Sequence, residues 1–378
     1  MPRSTSESLR IVFYSLSKLK PVSFHFRNSH MPIKVLVVDD SALIRQILSE
    51  IVVQAPELTL VGAAPDAYVA KRMVQEFRPD VITLDIEMPK VDGLRFLEVM
   101  MKAMPTPVVM ISTLTERGAD ATLRALELGA VDFIAKPKLG VAQGMTEYAA
   151  VIVEKIKAAA HSKLGHPTET RCTKHASMRY TGTEKLIGIG ASTGGTEAIK
   201  DVIMHFPRNA PATIISQHMP PGFTTTYARR LDSLCEITVR EAQGGERLLP
   251  GFAYLAPGNK HLKVERSGAD YRLTLDDGPK VSGHKPSVDV MFNSLAEHAG
   301  ANAVGVLLTG MGRDGAKGMK NMHTKGSVTF CQDEKNCVVY GMPKTAVEMK
   351  AASFIKPLDE ISDAILDTLE AIGAGSRL

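Results

Sequence analysis

Cysteine and tryptophan are scarce in this chain, and their scarcity limits the kind of protein it can be. The 378 residues contain four cysteines and no tryptophan. The cysteines are scattered and form no C-x-x-C pair: Cys172, Cys235, Cys331 and Cys337. Four scattered thiols are too few for a disulfide framework, so the sequence predicts reduced thiols in a cytosolic protein.

Long apolar runs and dense basic runs are also missing. No stretch approaches the roughly 20 apolar residues that a membrane-spanning helix needs, so direct membrane insertion is not expected. The formal net charge is +4, and no zinc-finger spacing or DNA-reading helix pair is present, so no nucleic-acid partner is expected. Residues 1–30 lack the long apolar region and cleavage site of a signal peptide. We interpret them as a disordered extension or a start codon assigned too early.

From Ile33 onward, short apolar runs alternate with amphipathic stretches. Strands are predicted at 33–38, 58–64, 80–84, 107–112 and 131–135. Helices are predicted at about 41–54, 66–77, 92–102, 117–128 and 145–160. Five strands joined by crossover helices predict a doubly wound, flavodoxin-like (βα)5 sheet over residues 31–160, with sites at the carboxyl ends of its strands.

The second half of the chain predicts another doubly wound α/β domain. A polar stretch at 161–185 without apolar periodicity is predicted to be a linker, and the second domain spans 186–378. Strands are predicted at 186–190, 212–216, 303–308 and 327–330, with a strand-rich middle at about 237–275. Helices are predicted at 195–205, 223–233, 287–298 and 315–324.

Acidic residues end two neighbouring strands of the first predicted domain. Asp39 and Asp40 end the first strand, and Asp85 ends the third. Carboxylates that meet at one crevice repel each other unless a cation lies among them, and oxygen ligands suit Mg²⁺. A carboxylate beside Mg²⁺ can act as a nucleophile and become phosphorylated. Ser112 and Lys136 end the next two strands. The Ser112 hydroxyl can donate a hydrogen bond to a phosphoryl group, and Lys136 can pair with its charge.

A single acid at a strand end is ordinarily a helix cap or a solvated loop residue. Here the polar strand ends occur in the motifs VVDDS, LDIEMP, MIST and AKP, which resemble the receiver domain of bacterial two-component response regulators. The resemblance implies that Asp85 is the phosphoacceptor and that Ser112 and Lys136 respond to its phosphorylation. The implied Mg²⁺ ligands are Asp40, Asp85, the Glu87 carbonyl and, through water, Asp39.

A G-x-S-x-G motif at residues 190–194 lies between an apolar strand and a helical period. Its small residues permit the sharp turn that exposes the oxygen of Ser192. The following helix start offers N–H groups to a developing oxyanion, although such a turn also binds phosphates. A dinucleotide site is disfavoured because Thr193 replaces the third glycine and the next strand ends in Gln217-His218, without an acid for ribose.

Two more groups suited to acyl transfer follow other strands of the same predicted sheet. His218 follows the next strand, and Asp314 lies in a glycine-rich loop at 307–318. Ser192 as nucleophile, His218 as base and Asp314 as the group that orients the imidazole make a complete set. Their chain order differs from the Ser, Asp, His order of α/β-hydrolases.

Further segments resemble the CheB-type chemotaxis protein-glutamate methylesterases. They include IGIGASTGG, QHMPPGF, PSVDVMFNSLA, TGMGRDGAKG and CVVYGMPK, and the similarity extends from about residue 33 to about residue 350. The resemblance implies a triad of Ser192, His218 and Asp314. It also implies an oxyanion hole at Thr193 and the Met311 backbone N–H. Four other histidines show no clear partner in the sequence and are given no role (His205, His261, His284 and His298), although His284 is a candidate for lining the substrate groove.

The resemblance implies a phosphorylation-controlled serine hydrolase in the cytoplasm. Its expected substrates are glutamate methyl esters, and also glutamines, on methyl-accepting chemotaxis receptors, and its expected phosphodonor is a chemotaxis histidine kinase. Mg²⁺ is the expected cofactor of the receiver, and none is expected for the esterase reaction. The receiver is expected to cover the hydrolase cleft until Asp85 is phosphorylated. Two alternatives stay open: an esterase or amidase acting on another protein, and a non-enzymatic regulator that binds a partner.

Overall fold

The computed structural model describes residues 31–136, 145–163 and 184–375. The chain divides into two compact units, one within Met1–Thr113 and Leu128–Ser162 and the other within Leu114–Glu127 and Lys163–Leu378. Residues 1–30, Pro137, Cys172 and most of the predicted linker lie outside the described residues. The predicted domain boundaries stay predictions. Within the described part of the chain, no helix is both long and apolar enough to cross a membrane.

Five parallel strands form the first sheet, in the order β2-β1-β3-β4-β5. The strands are β1 (Ile33–Val38), β2 (Leu58–Ala64), β3 (Val81–Asp85), β4 (Val108–Ser112) and β5 (Asp132–Ala135). The helices that alternate with and follow them are α1 (Ala42–Gln54), α2 (Ala67–Phe77), α3 (Gly93–Ala103), α4 (Glu116–Glu127) and α5 (Met145–Ala160). β3 and β4 are buried along their whole length, as central parallel strands are. The doubly wound fold predicted for this part of the chain is confirmed.

Three of these helices begin at a side chain that caps their first turn. Ser41, Asp66 and Asp92 each accept a hydrogen bond from a backbone N–H of the helix that follows. Such a cap satisfies a donor that has no partner inside the helix, so it fixes the residue at which the helix begins. The short loops between strand and helix are therefore held at the carboxyl edge of the sheet, where the acidic residues lie.

Seven parallel strands form the second sheet, in the order β14-β13-β12-β6-β7-β9-β8. In chain order the strands of this unit are β6 (Leu186–Ala191), β7 (Ala212–Gln217), β8 (Thr238–Glu241), β9 (Phe252–Leu255), β10 (His261–Ser267), β11 (Asp270–Asp276), β12 (Ala303–Leu307), β13 (Val328–Gln332) and β14 (Phe354–Lys356). β10 and β11 form a separate antiparallel pair. The α/β class predicted for the second half of the chain is confirmed.

Within the described residues, six α-helices and one short 3-10 helix, Gly300–Asn302, accompany the second sheet in the chain. The α-helices are α6 (Gly195–Ile203), α7 (Phe223–Leu234), α8 (Val288–His298), α9 (Ala316–Thr324), α10 (Met342–Glu348) and α11 (Leu358–Gly375). Three elements, α10, β14 and α11, lie beyond the last predicted element. α11 buries an apolar stripe that includes Ile361, Ile365 and Leu369, and this helical spacing explains why the segment folds as a helix.

Helix α8 approaches the backbone of β6 so closely that β6 needs glycine. A Cβ on Gly190 would lie 2.2 Å from Val288 Cγ1, and a Cβ on Gly188 would lie 2.4 Å from Leu295 Cδ1. A strand glycine without a side chain is typical of a place where another element packs directly on the backbone. The two glycines thus set the start of α8 beside the carboxyl end of β6.

We expect Gly190→Ala to lower the free energy of unfolding of the second unit by about 1–3 kcal/mol, because the added methyl group overpacks this contact. The measurement is denaturant unfolding of Gly190→Ala, Val288→Ala and the double variant. Val288→Ala removes the methyl groups that the new Cβ would meet, so the double variant should lose less stability than the sum of the single losses. Additive losses would contradict the proposed close contact.

Candidate esterase and phosphorylation sites

Three carboxylates converge at the carboxyl edge of the first sheet. Ligand oxygens of Asp39, Asp40 and Asp85 all lie within 4.8 Å of one another. Asp39 and Asp85 are almost completely buried, whereas Asp40 is exposed. Among the described residues, the buried Oδ2 of Asp39 accepts no well-aligned hydrogen bond and lies 3.4 Å from a lysine ammonium, that of Lys136. Three carboxylates this close together, two of them buried, fit a divalent cation with oxygen ligands.

Lys136 lies against the two buried carboxylates. Its Nζ is 2.7 Å from Asp85 Oδ2 and 3.4 Å from Asp39 Oδ2. The pKa of Asp85 is raised to about 6, chiefly by burial; the hydrogen bond from Lys136 opposes this rise, and the charge of Asp39 contributes to it. Burial also raises the pKa of Asp39. Burial acts to lower the pKa of Lys136, but its contacts with Asp85 and Asp39 outweigh this and raise it. The ammonium therefore stays charged beside Asp85.

The remaining predicted residues of this pocket lie at the same sheet edge. Ser112 is buried at the end of β4, and its hydroxyl donates to the Thr113 carbonyl over 3.3 Å. The backbone N–H of Glu87 donates to Asp85 Oδ1 over 3.3 Å, so the backbone of Glu87 lies next to this carboxylate. Every residue predicted for the phosphorylation site is thus placed around Asp85 or at the neighbouring strand end.

Ser192 lies at the carboxyl end of β6, in the turn that leads into α6. Its backbone N–H donates to the Thr309 carbonyl over 3.0 Å, and its carbonyl accepts from Gly195 N and from Gln217 Nε2. Gly194 adopts a φ of 75°, which glycine accommodates without strain. The turn around Ser192 is therefore fixed by hydrogen bonds to both neighbouring strand ends.

Asp314 is 1% exposed and receives hydrogen bonds on both carboxylate oxygens. Oδ1 accepts from Ser287 Oγ over 2.7 Å and from Asp289 N over 3.1 Å. Oδ2 accepts from Val288 N over 2.7 Å and from His218 Nε2 over 2.8 Å. Burial acts to raise the pKa of Asp314, but the contacts with His218, Ser287 and Val288 lower it to about 2. The carboxylate is therefore ionised at neutral pH.

His218 follows β7 and has one ring nitrogen committed to Asp314. Its backbone N–H donates to the Ala191 carbonyl over 3.2 Å, which holds it beside the turn of Ser192. An ionised carboxylate only accepts hydrogen bonds, so Nε2 of a neutral His218 carries the proton and Nδ1 has a free lone pair. Nδ1 is buried and bonds no other polar atom of the described chain. The His218 ring therefore has one nitrogen, Nδ1, whose lone pair can accept a proton.

The glycine-rich loop after β12 packs directly on Ser192. A Cβ on Gly310 would lie 2.7 Å from Ser192 Cβ and 2.4 Å from Met342 Sδ. The next residue, Met311, is half-buried, and a Cβ on Gly341 would come within 3.1 Å of its Cα. Thr193 is buried, and its carbonyl accepts from the Thr309 hydroxyl over 3.0 Å. Both residues predicted for the oxyanion hole thus lie next to Ser192 in sequence or in space.

Three supporting residues were not predicted. Ser287 caps α8 and donates to Asp314, Gln217 donates to the Ser192 carbonyl, and Gln332 accepts from Thr309 N over 2.8 Å. A serine directly before a predicted helix, such as Ser287, indicates a helix cap. The acceptor of the Ser287 hydroxyl, however, lies 27 residues further along the chain. Local sequence carries no signal for such a pair.

Nearly the whole chain is similar to curated proteins. It is 54% identical over 349 residues to protein-glutamate methylesterase/protein-glutamine glutaminase 2 of Pseudomonas aeruginosa, covering 92% of this chain and 100% of that relative. It is also 54% identical over 347 residues to the protein-glutamate methylesterase/protein-glutamine glutaminase of Methylobacillus flagellatus, covering 90% and 98%. The chain belongs to the CheB methylesterase family.

The two halves of this methylesterase match separate families. The response regulator receiver domain matches residues 35–141, and the CheB methylesterase family matches residues 187–365. The crystal structure of the Thermotoga maritima CheB methylesterase catalytic domain is 38% identical, with a TM-score of 0.48, and covers 49% of this chain and 98% of that chain. The two family matches and the curated relatives confirm the resemblance inferred from the sequence motifs.

We expect Ser287→Ala to lower the free energy of unfolding of the methylesterase by about 2 kcal/mol, because it removes both a helix cap and a hydrogen bond to a charged group. It should also lower the rate of ester hydrolysis, because Asp314 loses one of the donors that orient it. Denaturant unfolding and steady-state kinetics measure the two effects.

Ser41→Ala is the matched control, because both serines accept a cap hydrogen bond of 3.4 Å but Ser41 lies in the other unit. It should lose stability and keep the esterase rate. An unchanged esterase rate in Ser287→Ala would mean that Ser287 acts only as a cap.

Proposed function

We propose that this methylesterase hydrolyses glutamate methyl esters, and deamidates glutamines, on the cytoplasmic parts of methyl-accepting chemotaxis receptors. We also propose that phosphorylation of Asp85 accelerates it. One observation carries the proposal: the 2.8 Å hydrogen bond between His218 Nε2 and the buried Asp314, at the sheet edge that carries Ser192. A serine, a base with a free lone pair and a buried carboxylate are the groups that acyl transfer needs.

Ser192 is the proposed nucleophile. Its Oγ attacks the γ-carbonyl carbon of the methylated glutamate, and His218 Nδ1 takes the proton from Oγ. Asp314 keeps the imidazole in the tautomer with Nδ1 free and stabilises the imidazolium that forms. The buried, ionised carboxylate supports this role, because its charge is not screened by water.

The C–O bond to the methoxy group then breaks, and His218 returns the proton so that methanol leaves. Water adds to the acyl-enzyme carbonyl while His218 takes one of its protons. The bond between this carbon and Ser192 Oγ then breaks, His218 returns the proton to Oγ, and the side chain is released as glutamate. A glutamine side chain gives the same acyl-enzyme with ammonia as the leaving group. One set of residues thereby supports both activities named for the relatives.

The Met311 backbone N–H and Thr193 are the proposed oxyanion hole. Negative charge develops on the carbonyl oxygen during attack, and preorganised N–H donors stabilise it. The contact of the Gly310 loop with Ser192 supports this placement, because it brings Met311 beside the nucleophile. Removing one such donor typically costs about 10²–10³-fold in rate.

In the receiver, Asp85 is the proposed phosphoacceptor, and a chemotaxis histidine kinase is the proposed phosphodonor. The proposed Mg²⁺ ligands are Asp40, Asp85, the Glu87 carbonyl and, through water, Asp39. When bound, Mg²⁺ neutralises the clustered carboxylates and the oxygens of the incoming phosphoryl group. The convergence of three carboxylates beside one lysine, Lys136, supports a cation at this position.

Phosphorylation would change the charge that Lys136 meets. A phosphoryl group adds about −1.5 to −2 charge, and its oxygens accept from Lys136 and from the Ser112 hydroxyl. Lys136 now pairs with Asp85 itself, so phosphorylation requires this pair to rearrange. Such a local change of charge can shift the populations of two conformations of a protein segment. We propose that this shift raises the esterase rate.

We expect Ser192→Ala to abolish methanol release from methylated receptor fragments, because the oxygen proposed to form the acyl-enzyme is removed. Methanol release by gas chromatography is the measurement, and phosphorylation by acetyl phosphate should be unchanged. Ser233→Ala, which removes an exposed hydroxyl elsewhere in the second unit, is the control. Methanol release at the wild-type rate would refute the nucleophile assignment.

We expect Asp85→Asn to keep the unstimulated esterase rate and lose the rise caused by acetyl phosphate with Mg²⁺, because the phosphoacceptor oxygen is gone. Asp367→Asn removes one negative charge from the exposed face of α11 and serves as the control. It should respond to acetyl phosphate like the wild type. A rise that survives in Asp85→Asn would contradict the proposed control by phosphorylation.

A further inference from the structure

A second histidine lies flat against the proposed general base. The ring centroids of His218 and His284 are 3.7 Å apart, and the two planes differ by 8°. This spacing is the van der Waals contact distance between carbon atoms, so the rings touch face to face. Offset or edge-on aromatic pairs usually have centroids about 4.5–7 Å apart. The contact is therefore unusually close and parallel.

His284 is held on a tight turn. Its backbone N–H donates to the Val281 carbonyl over 3.0 Å, and its carbonyl accepts from Val281 N over 3.1 Å. The two central residues, Ser282 and Gly283, have φ values of 53° and 84°, the combination that a type I′ turn requires. Three residues after His284, Ser287 donates to Asp314. The His284 ring is thus anchored on both sides along the chain.

The ring plane of His218 needs such support. Rotation about the bond between Cβ and the ring has a broad energy profile, so the rotamer alone does not fix the plane. The hydrogen bond to Asp314 holds Nε2 in place, but one hydrogen bond lets the ring tilt about that contact. A flat partner at contact distance blocks the tilt on one face. The tilt decides where Nδ1 points, and so how well it can take the proton of Ser192.

We propose that His284 is a positioning residue of the esterase, whose stacked ring fixes the plane of His218 so that Nδ1 faces Ser192. The proposal rests on the roles proposed above for Ser192 and His218. In this role His284 exchanges no proton with the substrate. A flat aromatic ring without titratable groups should therefore replace it, whereas an aliphatic side chain of similar size should not.

The test uses the full-length chain and a fluorophosphonate probe together with ester hydrolysis. In labelling, the Oγ–P bond forms, the P–F bond breaks, fluoride leaves, and His218 receives the Oγ proton. We expect His284→Leu and His284→Gln to lower the labelling rate and kcat about 10- to 100-fold with little change in KM, as misplaced groups do. His284→Phe should restore most of both rates. His298→Leu, a change at another half-buried histidine of the same unit, should behave like the wild type.

A spectroscopic readout tests the stack itself. The ring current of His284 should shift the His218 ring-proton resonances upfield, and this shift should persist in His284→Phe and disappear in His284→Leu and His284→Gln. Equal thermal unfolding of the Phe and Leu variants would show that a difference in their rates does not reflect stability.

Three outcomes would overturn the proposal: wild-type labelling in both His284→Leu and His284→Gln, a raised KM with unchanged kcat, or a Phe variant as slow as the Leu variant. Failure of the underlying roles is separable, because it would appear as undiminished labelling of Ser192→Ala, whatever residue 284 is.

Discussion

The carboxylate of Asp314 has almost no access to water, so every hydrogen bond that keeps it ionised must come from the protein. Four donors meet it, and three of them belong to the N-cap and the first two residues of α8. The helix start therefore serves as the binding site of a fixed negative charge, which suits the positive end of a helix dipole. The fourth donor is His218. The position and the tautomer of the His218 imidazole thus depend on the position of α8.

The position of α8 depends in turn on how the helix packs against the backbone of β6. Glycines at 188 and 190 let the helix lie on the strand without intervening side chains. The same strand ends in Ser192, so one contact sets both the nucleophile and the helix that binds Asp314. A small-residue strand beside an apolar helix face is a packing feature, yet here it determines distances within the candidate site.

Strand ends and helix periods were predictable because apolar runs and caps are local signals. The polar residues at the ends of β1, β3, β6 and β7 could be grouped from the sequence alone, since parallel strands share one carboxyl edge. The hydrogen bond from Ser287 to Asp314 and the stack of His284 on His218 could not be predicted. They join residues that are 27 and 66 positions apart in the chain. The short helix α10 and the three-residue β14 carry too few residues for a periodic signal.

The candidate esterase residues follow three strands, β12, β6 and β7, that are neighbours at the centre of a seven-stranded sheet. The outer strands β8 and β14, and the hairpin of β10 and β11, carry none of the three. Sequence change in the outer strands β8 and β14 therefore leaves these three residues in place, whereas the hairpin reaches the site through His261 of β10, whose Nδ1 accepts from Ser287 N over 3.1 Å. An architecture of this kind lets a lineage alter what its hydrolase recognises while the reaction itself stays constant.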